Sequence, residues 1–228
     1  MCSPFFYKTK LNYMPNWCNN NLLVEGNLDA LTDFKKKTLV FNEDTKELGF
    51  TMEGIYPTPK PLLEQTSPVM WRGELHDEEG QKAFEAHIKS LKDTYGFEDW
   101  YSWRVANWGT KWDCDTFYVN EHDGDCLEVN YSTAWSPNEG FIKFASQVYP
   151  SLKFRLAYEE AGMGFAGVLI CENGEVVEAV DGDLEYKDED TDRLVTYDSE
   201  LERYRYVDTN EVIDDEDFSP IEHNPFIN

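Results

Sequence analysis

Positive charge is what this chain has least of. Its 228 residues carry 20 lysines and arginines against 45 aspartates and glutamates, a formal net charge of −25. Direct binding to a nucleic-acid backbone is disfavoured, because few cations are present to displace condensed counterions. Long apolar runs are also missing, since none approaches the roughly 20 residues of a membrane span. The opening Met-Cys-Ser-Pro-Phe-Phe-Tyr-Lys holds neither a sustained hydrophobic stretch nor a small-residue cleavage site, so no secretory leader is expected. Cysteine is sparse: Cys2, Cys18, Cys114, Cys126 and Cys171 form no C-x-x-C and leave one over, which argues for reduced thiols in a cytosol. The four histidines (His76, His87, His122, His223) lie far apart and without zinc spacing to any cysteine. No nucleophile–base pair can be nominated, and no repeat of solenoid spacing is visible.

What is present is aromatic and acidic. Hydrophobic residues make up 41% of the chain and aromatics 15%, enough for a real core in one domain with an appendage. Four of the seven tryptophans (Trp100, Trp103, Trp108, Trp112) fall between Asp99 and Asp113, interleaved with Arg104, Asn107, Thr110 and Lys111. An indole buries a large apolar area yet needs a partner for its N–H. Such a segment is either a tightly specified polar-aromatic core or a binding wall. The acidity is concentrated: residues 181–228 hold 17 acidic against 4 basic side chains. That surface favours a partner with a basic face, although acidity also simply keeps a protein soluble.

Local patterns predict an α+β chain. Residues 1–13 read as an extension. Asn19–Glu25 reads as a strand, and Asn27 as the cap of a helix from Leu28 to about Leu39. An excursion over about 41–113 follows. It contains a proline-rich irregular segment at 55–70 and a helix capped by Asp77 and stopped by Gly96. Strands are expected at Thr116–Asn120 and Cys126–Thr133, joined through Asp123-Gly124. Ser136-Pro137-Asn138-Glu139 reads as a capping box opening a helix that Pro150 ends. A strand over Leu152–Tyr158 comes next, then Phe165–Ile170 paired with Glu175–Val180 across Asn173-Gly174. Without the excursion the order is strand, helix, strand, strand, helix, strand, the ferredoxin-like β-α-β-β-α-β arrangement with two helices on one face of an antiparallel sheet. Domain limits are set at 1–13, 14–180 and 181–228. The last part is read as an acidic linker to 192, a hairpin over 193–213, and a wandering end from about Asp214.

Four segments together carry a resemblance. They are Met14-Pro15-Asn16-Trp17-Cys18-Asn19-Asn20, the run from Trp100 to Asp113, Thr133-Ala134-Trp135-Ser136-Pro137, and Tyr158-Glu159-Glu160 with Gly162-Met163-Gly164-Phe165-Ala166-Gly167. Over roughly 14–180 the chain resembles the YubB-like proteins of bacteriophages and conjugative plasmids. The resemblance implies a ferredoxin-like domain and an origin on a mobile element. It implies no catalytic residues, because the family has none established.

The residues themselves offer three sites, each with a plainer alternative. Lys111 and Arg104 could neutralise an anion while Trp108 and Trp112 stack on a ring, with Trp103, Asn107, Asp113, Trp135, Glu159 and Glu160 completing a ligand pocket. The plainer role is to staple the excursion to the sheet, with Lys111 paired to Asp113 or Glu159 and Trp135 in the core. Asp113 with Glu159 or Glu160 could form a paired-carboxylate or metal site, but adjacent strand residues face opposite sides. The glycines after them fit a tight turn. Asp188, Glu189, Asp190 and Asp214, Asp215, Glu216, Asp217 could imitate a nucleic-acid backbone in a basic groove. The function expected is a non-enzymatic accessory protein without a cofactor. It would act in the host cytoplasm by binding a host protein with a basic surface, in host takeover or counter-defence. Neither nucleic acid nor membrane is an expected partner. The alternative is a nucleotide-sequestering protein using the Trp/Lys/Arg pocket.

Overall fold

A computed structural model of the chain describes residues 16–43, 46–74, 77–121, 126–198, 200–213 and 220–226. Strand β1 (Trp17–Gly26) alternates as a half-buried strand should, with Cys18, Asn20, Leu22 and Val24 turned inward. Helix α1 (Leu28–Thr38) starts where the Asn27 side chain accepts from the Ala30 amide at 3.1 Å. It ends on Lys35, Lys36 and Lys37, whose charge suits the negative end of the helix dipole. Strands β2 (Leu39–Asn42) and β3 (Glu47–Phe50) form a separate hairpin. The short helix α2 (Lys60–Leu63) follows, within the stretch expected to be irregular. Helix α3 (Glu78–Tyr95) is capped by Asp77 and stopped at Gly96, as its end signals predict. Helix α4 (Trp100–Asn107) is capped by Asp99, which accepts from the Ser102 amide at 2.7 Å.

Strands β4 (Asp115–Asn120) and β5 (Cys126–Ala134) precede helix α5 (Glu139–Val148). The Asp123-Gly124 turn between them lies outside the described residues. After α5 come β6 (Leu152–Glu160), β7 (Phe165–Glu172) and β8 (Glu175–Asp183). The turn from β7 to β8 puts both Asn173 and Gly174 at positive φ, 54° and 80°, the requirement of a tight two-residue hairpin. Together these strands form one antiparallel sheet in the order β4-β5-β1-β6-β7-β8. Phe34 of α1 meets Phe154 of β6 at 5.4 Å between ring centres and Phe141 of α5 joins the same cluster, so both helices cover one face.

The capping box at 136–139 does not form. Asn138 caps α5 without a side-chain bond to the helix. Its amide instead accepts from the Tyr131 hydroxyl at 2.8 Å, and Ser136 Oγ donates to the Gly109 carbonyl at 2.6 Å. Tertiary partners outcompete the local cap here because α4 and α5 approach closely. A Cβ on Gly140 would sit 2.4 Å from the Asn107 carbonyl oxygen.

The region after 180 needs three corrections. A boundary at 180/181 cuts through β8, which runs on to Asp183, and 181–192 is not a linker: β9 (Glu185–Asp188) starts two residues later. Strands β10 (Leu194–Asp198), β11 (Arg203–Tyr206) and β12 (Pro220–His223) complete a second sheet in the order β11-β10-β9-β12. The end expected to wander therefore includes a strand. Beyond it, Asn224 is buried and donates to the carbonyls of Tyr158 and Gly167 at 2.9 and 3.4 Å, tying the extension to the main sheet. The extension at 1–13 and Asp214, Asp215, Glu216 and Asp217 lie outside the described residues.

Candidate functional site

Helix α4 turns most of the tryptophan segment inward. Trp108 is wholly buried, its indole N–H donating to the Tyr56 carbonyl at 2.9 Å. Trp103 packs edge-on against both Tyr56 and Trp108. Arg104 lies over the Trp108 ring at 4.5 Å and is neutralised by Glu53 at 2.7 Å, with a further bond to Thr58 at 2.9 Å. Asn107 accepts from the Tyr56 hydroxyl at 2.5 Å. These four residues, expected to line a pocket, bind the 51–59 loop to α4 and its C-cap. Their polar groups are thereby spent on contacts within the excursion.

The carboxylates are committed in the same way. Asp113 accepts from the Thr51 hydroxyl at 2.5 Å and from the amides of Met52 and Cys114, each at 2.9 Å. Glu160 is 2% exposed and accepts from the amides of Gly162 and Met163, closing the β6–β7 turn. Glu159 points to the opposite face, as adjacent strand residues must. Glu160 is thus enclosed, and Asp113 is half-buried with both carboxyl oxygens accepting hydrogen bonds. Among the described residues no group of three His, Cys, Asp or Glu is placed to hold a metal ion. Among the described residues the thiols are no better as nucleophiles. Burial, then the charges of Glu160 and Glu159, push Cys18 up to about 12, and burial raises Cys114, Cys126 and Cys171.

Lys111 pairs with neither Asp113 nor Glu159. Its ammonium lies 4.3 Å from the centre of the Trp112 ring, 4.9 Å from Trp135 and 5.9 Å from Tyr101. Trp135, assigned to the pocket with the core as its plainer alternative, is 43% exposed and sits at φ 70°. A bulky residue in the left-handed region is strained, and this one is held by its amide's bond to the Asn16 carbonyl at 2.9 Å. Trp17 approaches Trp112 at 6.1 Å. Of the proposed pocket, half-buried Lys111 and Trp112 and exposed Trp135 come together, while Trp103, Arg104, Asn107, Trp108 and Asp113 are engaged with the 51–59 loop and their own neighbours.

On the extension, Asp188 is buried. It accepts from the Tyr206 and Thr191 hydroxyls and the Asp190 amide, so it organises a turn and does not face outward. Those donors hold its carboxyl below the usual range. Glu189 and Asp190 are exposed.

One set of polar residues escaped the sequence reading. Asn19, Asn21 and Asn130 lie on the sheet face away from α1 and α5. They border a groove of about 260 Å³ with Phe117, Glu159 and Asn224, floored by Ala157. Asn21 stands opposite Asn130 on β5 and Ala157 on β6. The available signal was three consecutive asparagines, Asn19-Asn20-Asn21, in a strand, where asparagine is ordinarily depleted.

Residues 111–200 match a family described as "Ferredoxin-like domain in Api92-like protein". Among solved structures, the chain is similar to the crystal structure of a protein api92 from Yersinia pseudotuberculosis, at 11% identity over 75% of this chain and 98% of that one, with a TM-score of 0.43. No curated protein matches. The chain carries a ferredoxin-like domain similar to that of Api92-like proteins.

Proposed function

We propose that the protein is a non-enzymatic binding protein whose acidic face engages a host protein with a basic surface. The observation that carries this reading is the arrangement of acidic side chains in the turns and loops of the second sheet and along β8, the edge strand of the main sheet. Glu189, Asp190, Glu200, Glu202 and Glu211 are exposed on the extension, as are Glu175, Glu178, Asp181 and Asp183 along β8, which ends its sheet. The β8 carboxylates are held by a strand, and those of the extension lie in the turns and loops around β9, β10 and β11; a surface placed in advance lowers the ordering cost of meeting a complementary one. Charge on an edge strand also discourages self-pairing, which favours a foreign partner over a second copy. That Asp113 and Glu160 are spent on backbone amides supports binding over catalysis.

The finer fold reading belongs here as well. We take β1-α1-β4-β5-α5-β6 as the ferredoxin-like unit, with 39–114 inserted after its first helix and β7 onward added to its edge. The resemblance to YubB-like proteins supports an origin on a phage or plasmid, a site of action in the host cytoplasm, and a role in host takeover or counter-defence. The nucleotide-sequestering alternative is weakened, because Arg104 and Trp108 are already occupied.

Affinity capture from a bacterial host, eluted in salt steps, tests the reading. A specifically held protein should be released steeply with rising salt. It should be lost from a variant carrying Glu189→Gln, Asp190→Asn, Glu200→Gln and Glu202→Gln. Salt-insensitive capture, or capture that the variant retains, overturns it.

A further inference from the structure

The groove on the open face of the main sheet has the features of a built site, and it stands apart from the acidic surface. We propose that it binds a compact, uncharged heterocycle, a free nucleobase or nucleoside, whose hydrogen-bonding edge is read by Asn19, Asn21 and Asn130 and whose ring stacks on Phe117.

The amides are set in a fixed pattern. Asn21 Nδ2 donates to Glu128 Oε1 at 2.9 Å and to Asn130 Oδ1 at 3.0 Å, while Asn19 Oδ1 accepts from Ser132 Oγ at 3.0 Å. Among the described residues, that leaves one acceptor, Asn21 Oδ1, and two donors, Asn19 Nδ2 and Asn130 Nδ2, without a protein partner. Each amide is locked by its neighbour, so the free atoms are positioned before any ligand arrives. Nucleobase edges present such mixtures of donors and acceptors, and here the three amides would each supply one of the matching groups.

Phe117 supplies the flat surface. The register of β4 against β5 slips between Thr116 and Tyr118, so Phe117 is the extra residue of a bulge. A bulge re-aims a side chain, and this ring is left 65% exposed at the groove's border. Ala157 keeps the floor low between Asn21 and Val168. Among the described residues the lining holds no lysine or arginine, so nothing there would hold a phosphate. At about 260 Å³ the space lies below the roughly 300–1,000 Å³ of drug-sized sites, which limits the guest to one compact ring system. Three departures from local rules meet in this groove: asparagines in a central strand, a bulge, and Asn224 brought in from the extension. Such convergence marks function more often than chance.

Saturation-transfer NMR and calorimetry of the full chain, against the five common nucleosides and their 5′-monophosphates, test the proposal. At least one nucleoside should saturate the protein below millimolar concentration, with its monophosphate no tighter. Asn130→Asp, which converts a donor to an acceptor at constant volume, should weaken binding about tenfold or more. Phe117→Ala should do likewise, and at an exposed position it leaves folding intact. No saturable binding of any nucleoside, binding indifferent to both substitutions, or binding confined to single-stranded oligonucleotides with steep salt dependence overturns it. Capture of a basic partner is independent of these results, so each reading fails on its own.

Discussion

Trp108 and Trp135 show how differently one residue type is used within thirty positions. Trp108 is enclosed and its N–H is spent on Tyr56; Trp135 is open on a strained backbone. Trp108→Ala should cost about 3–5 kcal/mol in urea unfolding, because an enclosed site cannot collapse around the void. Trp135→Ala should cost under about 1 kcal/mol. Trp135→Gly should be more stable than Trp135→Ala by about 1 kcal/mol, because only glycine occupies φ near 70° without strain. Equal losses at 108 and 135 would refute the division into core and surface. The sequence showed that this segment matters but not which role each ring takes. The partners that decide it, Glu53, Tyr56 and Thr58, lie about fifty residues away along the chain.

Among the elements, what local chemistry governs was legible. Asn27, Asp77 and the Asn173-Gly174 pair act where their side chains and dihedrals predict. The start of α5 was misread because Ser136 and Asn138 have tertiary partners, and α4 went unread although Asp99 is a sound cap. The groove was missed for a related reason. Its residues come from β1, β4, β5, β6 and the C-terminal segment, and only a sheet register brings them together. The β6–β7–β8 ladder has a point of its own fragility at Gly167. A Cβ there would meet the Tyr158 ring at 2.5 Å and the Val180 carbonyl oxygen at 2.7 Å. Backbone cannot yield as a side chain can, so Gly167→Ala should destabilise by about 1–3 kcal/mol, typical of overpacking. Gly182→Ala meets only the Phe226 ring at 2.9 Å and should cost less. Equal Tm changes would contradict this.

For the molecule as a whole, charge makes the extension sensitive to acid. The Tyr206 and Thr191 hydroxyls lower Asp188, the Leu201 amide lowers Asp198, and the Arg193 guanidinium lowers Asp208. All three hold their charge more firmly folded than unfolded, so the unfolded chain takes up protons first as pH falls. The stability they contribute is complete above the ordinary carboxylate pKa, near 4, and is lost as pH drops through the lower folded values. Near-UV circular dichroism from Tyr204 and Tyr206 should therefore fade below about pH 4, and Asp188→Asn should weaken the fold at neutral pH while flattening that acid limb. An unchanged acid limb in Asp188→Asn would show that Asp188 carries none of this dependence.

The amide of Asn224 has one more consequence. Because it grips β6 and β7 from the far end of the chain while walling the groove, lifting the extension away would unroof whatever lies inside. A guest that touches Asn224 must resist that lifting by the same free energy with which the seated extension holds the guest. Asn224 thus ties what the groove holds to the seating of the segment that carries it.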